Sequence, residues 1–334
     1  MAESLKSLIP CLAGQRVLVV GDVILDEYII GNATRMSREA PVPVLEFQSR
    51  QFIPGGAANP AANIAALGST AIQVGVIGTD PTAAILRQVL QAHGIDASAL
   101  VADSSRPTTV KMRLMAHMGL RFPQQVARLD TLSREPISPE IERQLIQCVE
   151  QHMATVQAVL LSDYHIGLLT LSLIGMIRIL ATSAGVLLAA DAQGQLEKYA
   201  GFGLVKCNAD EARAYLRRDI QGDEAFAAAA RELCDGLALT GGMVITRGPA
   251  GATIATCDGQ VTHCPAPAVT DVYDTVGAGD TAIAVMTLAV AADAAYPDAA
   301  ALANYASGLV VRRVGNYAPT PEELAWAVET WDSV

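Results

Sequence analysis

The sequence predicts a doubly wound α/β fold, a mostly parallel sheet flanked by helices, with a small second β-sheet. Three observations predict it. Short β-rich runs alternate with longer helical stretches; the chain is 51% hydrophobic but only 4% aromatic, so Ala, Val, Leu and Ile supply the core; and polar residues recur just past the β-rich runs. Alternating strands and helices bury each other's apolar faces best when the strands lie parallel and helices cover the sheet.

The β-rich runs are 16–21, 72–77, 156–161, 186–190, 204–206 and 243–246, and helical patterns cover 57–67, 83–93, 139–153, 171–183 and 223–234. Two segments break this alternation. Residues 28–53 carry PVPVLEFQSRQF, and in residues 108–115 Val110, Met112 and Leu114 alternate with Lys111 and Arg113. That second pattern is a half-buried strand. Together, over 28–53 and 108–130, the two segments are expected to form a small sheet standing off a single domain of residues 1–334, as a lid would. An edge extension of the main sheet is the alternative. No repeat, low-complexity stretch or linker divides the chain.

Bulk properties exclude several classes. The net charge is −11, from 34 acidic and 23 basic side chains with no basic run, so no nucleic-acid surface is expected. Cysteines at 11, 148, 207, 234, 257 and 264 form no CxxC pair, which suits small buried hydrophobes in a reducing cytoplasm. His117, His165 and His263 stand isolated and read as ordinary polar residues rather than metal ligands. The N-terminus lacks a signal-peptide pattern, and the apolar stretch 282–295 is too short to span a bilayer. The expectation is a cytoplasmic protein with no membrane partner.

Asp22 and Asp26, Ser162 and Asp163, Asp191, Asn208, and Thr246 with Arg247 all follow β-rich runs. In parallel α/β sheets the carboxyl ends of the strands line the ligand crevice. Single loop-start Asp or Asn residues often only cap helices, but five such positions in register favour a site.

The strongest local signal is Asp271-Val-Tyr-Asp274-Thr-Val-Gly277-Ala278-Gly279-Asp280-Thr281, running into an Ala-rich helix. Gly277 and Gly279 let the backbone turn tightly and approach a ligand, and the helix start offers free amides and a positive dipole end. Asp280 at that point can take a proton from a hydroxyl that attacks a phosphoryl group, with the 277–279 amides steadying the developing charge. A second signal is Gly55-Gly56-Ala-Ala-Asn59-Pro60, where paired glycines admit a ligand and Asn59 offers donors and an acceptor to sugar hydroxyls. A third is Lys206-Cys207-Asn208-Ala-Asp-Glu211, followed by Thr246-Arg247-Gly248-Pro-Ala-Gly251. A solvated Lys206–Glu211 ion pair is the bland reading of the third. The chain has no Walker loop, no GxGxxG after the first strand, and no GxSxG or HExxH.

DTVGAGDT, PGGAANPAANIAALG and KCNADE together resemble the signatures of the PfkB/ribokinase carbohydrate-kinase family, over about residues 16–329. The likeness is strongest to the D-glycero-D-manno-heptose 7-phosphate kinases, through the block that contains RMSREAPVPV and through ARLD and LSDYHIGLL. The resemblance implies a ribokinase-like fold, ATP and Mg²⁺ as cofactors with a monovalent cation as an activator met among relatives, and a homodimer formed through the lid. It implies that Asp280 is the catalytic base, with Gly277, Ala278 and Gly279 around the transferring group. Asp26, Arg35, Gly55, Gly56, Asn59, Arg113 and Asp274 are then expected at the sugar. Lys206, Asn208, Glu211, Thr246, Gly248 and Gly251 are expected at the nucleotide, with Asn208 and Glu211 reaching Mg²⁺ through water.

The family pattern is broken in two places. Where the heptose kinases carry Lys in DYxKG and DPKG, this chain has Ile166 and Gln193, so Arg35, Arg38, Lys111 or Arg113 would have to supply the charge for a sugar phosphate. Another sugar, a ketohexose phosphate, a nucleoside, or a sensor that binds without catalysis are the competing readings. The HxGH motif of the nucleotidyltransferase fused to some heptose kinases is absent, so a kinase alone is expected.

Overall fold

A computed structural model describes residues 2–119 and 122–331. Residues 120 and 121, within the expected lid, lie outside the described residues. The strands are β1 (Arg16–Gly21), β2 (Val23–Met36), β3 (Pro43–Gly56), β4 (Thr70–Ile77), β5 (Leu100–Ala102), β6 (Val110–His117), β7 (Gln124–Thr131), β8 (Ala158–Ser162), β9 (Leu187–Asp191), β10 (Leu204–Asn208), β11 (Gly242–Thr246), β12 (Ala252–Thr256) and β13 (Val261–Cys264). The helices are α1 (Ala2–Leu8), α2 (Ala58–Ala66), α3 (Pro81–Ala92), α4 (Pro139–Met153), α5 (Leu171–Ala184), α6 (Ala209–Leu216), α7 (Gly222–Gly236), α8 (Ala278–Ala291), α9 (Tyr296–Val310) and α10 (Pro321–Thr330).

Nine strands form one sheet in the order β13-β12-β11-β10-β9-β8-β1-β4-β5. All of its pairings are parallel except β11–β12 and β12–β13. Helices cover both faces, and two separate apolar cores result. On one face α2 packs against β1 and β4, α8 against β8 and β9, and α9 against β12; on the other α4 packs against β1 and β4, α5 against β9, and α7 against β11 and β12. The local sequence explains the helix bounds. Ser138 accepts from the Ile141 amide at the start of α4 with Pro139 at the first helical position, and Ile141, Leu145 and Val149 then turn inward at i, i+4 spacing. Thr170 caps α5, which ends on Gly185 in the left-handed region at φ 67°.

The second sheet has four strands in the order β3-β2-β6-β7. It is the separate sheet that the two interrupting segments predicted, not an edge extension. Its strands reach further in than 28–53: β2 begins at Val23, a single residue after β1 ends, and β3 runs to Gly56. Asp26 therefore belongs to this small sheet rather than to the end of a main-sheet strand. β2 pairs antiparallel with β3 and parallel with β6, so Asp26 stands beside Lys111 and Tyr28 beside Arg113. Lys111 and Arg113 share the face that carries Asp26, and Val110, Met112 and Leu114 take the other.

All six cysteines are free; Cys207, Cys234 and Cys264 are buried, while Cys11 and Cys257 are exposed, against the expectation that all serve as core residues. No helix among the described residues is long and apolar enough to cross a membrane.

Candidate active site

The carboxyl ends of the parallel strands converge where the polar residues were read. Register aligns Gly21 with Ser162, Ser162 with Asp191, and Asn208 with Thr246, so Asp22, Asp163, Asp191, Asn208 and Thr246 share one edge of the sheet. The start of α8 faces that edge. Gly277 caps the helix at φ 81°, a left-handed conformation that suits glycine. A Cβ on Gly277 would lie 2.9 Å from Asn59 Nδ2 and 3.0 Å from Asn316 Oδ1. Gly279 differs from the turn-forming role read from sequence. It is helical, and its missing Cβ leaves room for the Lys206 ammonium, which would lie 3.0 Å away.

Asp280 lies in the first turn of α8 and is only 8% exposed. Asn59 Nδ2 donates to its Oδ2 at 2.7 Å, and the Tyr164 hydroxyl lies 3.0 and 3.2 Å from its two oxygens. Asn59 is itself held by α2, where Asn63 Nδ2 donates to its carbonyl and side-chain oxygens, and Thr281 Oγ1 donates to Asn63 Oδ1 at 2.8 Å. Burial pushes the Asp280 carboxyl up to about 6; repulsion from Asp191 adds to this, and Asn59, Lys206 and Tyr164 pull the other way. A carboxylate with that value is mostly ionised at neutral pH yet basic enough to accept a proton.

Lys206, near the end of β10, does not pair with Glu211. It is buried, donates to Asp191 Oδ1 at 2.7 Å and reaches the Gly279 carbonyl at 3.3 Å. Burial opposes its charge, but Asp191 foremost, together with Asp280 and Glu211 nearby, outweighs burial and holds its pKa above the usual lysine value. A fixed cation thus sits beside the free amides of a helix start, a pairing suited to a phosphate. Lys206, Asn208, Glu211, Thr246 and Gly248 line a cavity of about 810 Å³ together with Gly277, Gly279 and Asp280.

Asn208 and Glu211 close a capping box: the Asn208 amide donates to Glu211 Oε2 at 2.6 Å, and the Glu211 amide to Asn208 Oδ1 at 2.9 Å. Each keeps spare acceptor capacity toward the cavity, which suits contact with a hydrated cation. Among the described residues, no cluster of three or more His, Cys, Asp or Glu could hold a metal directly.

On the other side of Asp280, Asp26 accepts from Arg113 Nη1 at 2.6 Å and from Asn316 Nδ2 at 2.8 Å. A Cβ on Gly55 would fall 2.5 Å from Asp26 Oδ2, and Gly56 adopts φ 56°, so both glycines are required by backbone geometry. Two expected residues stand apart, and a third has a bracing role. Arg35 is exposed at the far end of β2. Gly251 is buried in a turn packed on Cys264 and Ala266. Asp274 accepts from the amides of Val276 at 3.0 Å and Gly315 at 2.9 Å, bracing the two loops around the site.

Asn316, Tyr164 and Asn63 were not singled out from sequence. Asn316 lies 290 residues from Asp26 and carries no local signal. Tyr164 directly follows the strand-end Asp163, a position that could have drawn attention to it. A second cavity of about 850 Å³, lined by Tyr28, Met115, Arg312 and Trp326 among others, lies between the small sheet and the α9–α10 region and does not include Asp280.

The model of the pfkB family carbohydrate kinases matches residues 15–323. The chain belongs to the pfkB family of carbohydrate kinases. Among curated proteins it is 35% identical over 323 residues to the bifunctional protein HldE of Geobacter sulfurreducens, covering 96% of this chain and 64% of that protein. It is 38% identical over 329 residues to the HldE of Caulobacter vibrioides, covering 97% of this chain and 65% of that protein. The pfkB chain thus spans somewhat under two thirds of the length of these relatives. Its fold is ribokinase-like. It superposes on Arabidopsis thaliana ribokinase complexed with ribose and ATP (TM-score 0.73, 19% identity, 95% of this chain and 99% of that one). It also superposes on Escherichia coli phosphofructokinase-2 in complex with substrates and products (TM-score 0.76, 19% identity, 94% and 98%).

Were Asp280 the base, its active form would be the deprotonated one, and kinase activity would fall as pH drops through about 6, where burial places its titration. A pH profile of kcat/KM at saturating Mg·ATP checks this; an acidic limb below pH 5 would mean that another group limits the rate.

Proposed function

We propose that this kinase transfers the γ-phosphoryl group of ATP directly, in line, to a hydroxyl of D-glycero-D-manno-heptose 7-phosphate, giving the 1,7-bisphosphate. The observation that carries the transfer chemistry is Asp280, a buried carboxylate raised to about 6 at the start of α8, with Lys206 beside it. The substrate rests on the sequence blocks shared with heptose 7-phosphate kinases, RMSREAPVPV above all, and on likeness to HldE proteins along nearly the whole chain.

In this reading the acceptor hydroxyl lies against Asp280, which takes its proton as the new P–O bond forms. Asp26 and Asn59 orient the sugar, and Gly55 and Gly56 let it approach the backbone. The amides of Gly277, Gly279 and Asp280, which have no acceptor among the described residues, face the phosphoryl group in flight. Lys206 holds phosphate charge, and Thr246 and Gly248 flank the nucleotide in the 810 Å³ cavity. Mg²⁺, when bound, would neutralise charge on the phosphates, and Asn208 and Glu211 would reach it through water. The small sheet serves as a lid that excludes water from the transfer.

The sugar phosphate needs a cation that Ile166 and Gln193 do not provide. Ile166 is buried, with its amide on Asp22 Oδ2 at 3.2 Å. Arg38 is exposed on the loop between β2 and β3, and Arg113 is committed to Asp26. Lys111 has the right properties. It is half-buried on the lid's inner face, makes no ion pair among the described residues, and sits 4.7 Å over the Tyr164 ring. Burial lowers its pKa, the mark of an ammonium held away from water.

The outer lid face carries the proposed dimer contact. Leu114 is half-buried there, and Phe47 and Leu129 stand 67% and 61% exposed, while Val110 and Met112 at the base of this face pack on the main core. Light scattering should give a dimer, and Leu129→Glu should release monomers; a wild-type monomer at every concentration would remove this contact from the account.

Coupled ADP release with heptose 7-phosphate, fructose phosphates, ribose and nucleosides tests the substrate. The expected result is turnover of heptose 7-phosphate, with Lys111→Met raising its KM about tenfold or more through loss of a charge-assisted contact. Preference for an unphosphorylated sugar, with no effect of Lys111→Met on KM, would overturn the substrate and leave the kinase.

A further inference from the structure

Asp280 is gripped from two sides by different parts of the chain. α2 supplies the Asn59 amide to Oδ2, and the loop after β8 supplies the Tyr164 hydroxyl, close to both oxygens. Tyr164 is anchored in turn. Its amide donates to Asp22 Oδ2 at 2.9 Å, and the Lys111 ammonium lies 4.7 Å over its ring. A base that must meet a hydroxyl in line with a phosphoryl group has to be held in one orientation. Asn59 alone fixes one oxygen and leaves the carboxylate plane free to turn; a second donor from the opposite side removes that freedom.

We propose that Tyr164 is a positioning residue for phosphoryl transfer: its hydroxyl holds the Asp280 carboxylate in the orientation that meets the acceptor, and the Lys111 cap on its ring ties that orientation to the four-stranded sheet. This rests on the reading of Asp280 as the base. The phenol cannot replace Asp280 in that role. Burial and the nearby Asp280 and Asp191 carboxylates push its pKa well above the ordinary tyrosine value, so it remains a donor throughout. Two consequences follow for the base. The phenol stabilises the ionised form of Asp280, and a lid displaced from the ring would loosen it, so the base is best ordered when the sheet is in place over the site.

The groups facing Asp280 define the pH response. They are Asn59 from α2, Asp191 from β9, Lys206 from β10 and Tyr164 from the loop after β8; Asp26 of β2 and Lys111 of β6 act at the far side of the phenol. Asp191 opposes ionisation of Asp280, and Lys206, Asn59 and Tyr164 favour it. Removing the hydroxyl therefore raises the pKa of the base and moves the acidic limb of the rate profile to higher pH.

Tyr164→Phe keeps the ring and its Lys111 cap and loses only the donor. With the full chain, Mg·ATP and an accepted sugar, the expected result is a kcat about tenfold lower, an acidic limb displaced upward by about half to one pH unit, and an unchanged KM for ATP. Replacement of Tyr164 by 3-fluorotyrosine, a stronger donor, should move the limb downward, and it supplies the test if the Phe variant folds poorly. A kcat and a limb that both match wild type in either variant would overturn the proposal. Loss of thermal stability without change in kcat or limb would do the same, since it would mark Tyr164 as packing alone. If Asp280→Asn retains turnover, the reading of the base fails, whatever the Tyr164 variants do. If Asp280→Asn is inactive while the Tyr164 variants behave as wild type, only the present inference fails.

Discussion

The burial of one carboxylate organises this molecule. Asp280 is removed from water at the start of α8, where its charge is opposed by desolvation and by Asp191. An unpartnered carboxylate there would simply take up a proton. Asn59, Tyr164 and Lys206 keep it close to neutrality in pKa, and each comes from a different element of the fold. Lys206 is held in turn by Asp191, so the two groups that pull Asp280 in opposite directions are themselves an ion pair. The balance that results leaves a buried carboxyl that is mostly ionised at neutral pH.

The small sheet depends on the same arrangement. β2 leaves the main sheet one residue after β1 ends, which carries Asp26 to the mouth of the site without a long connection. Its parallel partner β6 sets Lys111 and Arg113 on the inner face, and β3 returns through Gly55 and Gly56 directly into α2 and Asn59. Asp26, Gly55, Gly56, Asn59 and the two cations of β6 are therefore parts of one continuous piece of chain and its neighbour. Asn316 closes the ring from the loop after α9 by bonding both Asp26 and the Pro54 carbonyl.

What could be read from sequence follows from how local its cause is. α4 was legible at both ends because its cap, its proline and its apolar spacing lie within 15 consecutive residues. β12 and β13 carry a weak pattern and pair antiparallel at the sheet edge, and neither was recognised. Asp280 was legible because Gly277 and the helix start are its immediate neighbours in sequence. Its partners were harder. Tyr164 and Asn59 lie 116 and 221 residues away, and nothing local announces a contact of that range. Gly279 was misread for a related reason: a glycine in a turn motif suggests backbone freedom, whereas here the need is space for an ammonium from β10. The bland alternative for Lys206, an ion pair with Glu211, is not the one formed: Glu211 is near in sequence, whereas Asp191 is near only in the sheet.

The most direct measurement is sugar-dependent ADP release by Asp280→Asn at saturating Mg·ATP, with ATP binding followed in parallel by its effect on thermal unfolding. The account predicts a kcat reduced about 10²–10⁴-fold, the contribution of a positioned base, with ATP binding retained. Turnover near the wild-type rate with ATP still bound would contradict it, because the transfer would then need no base at this position.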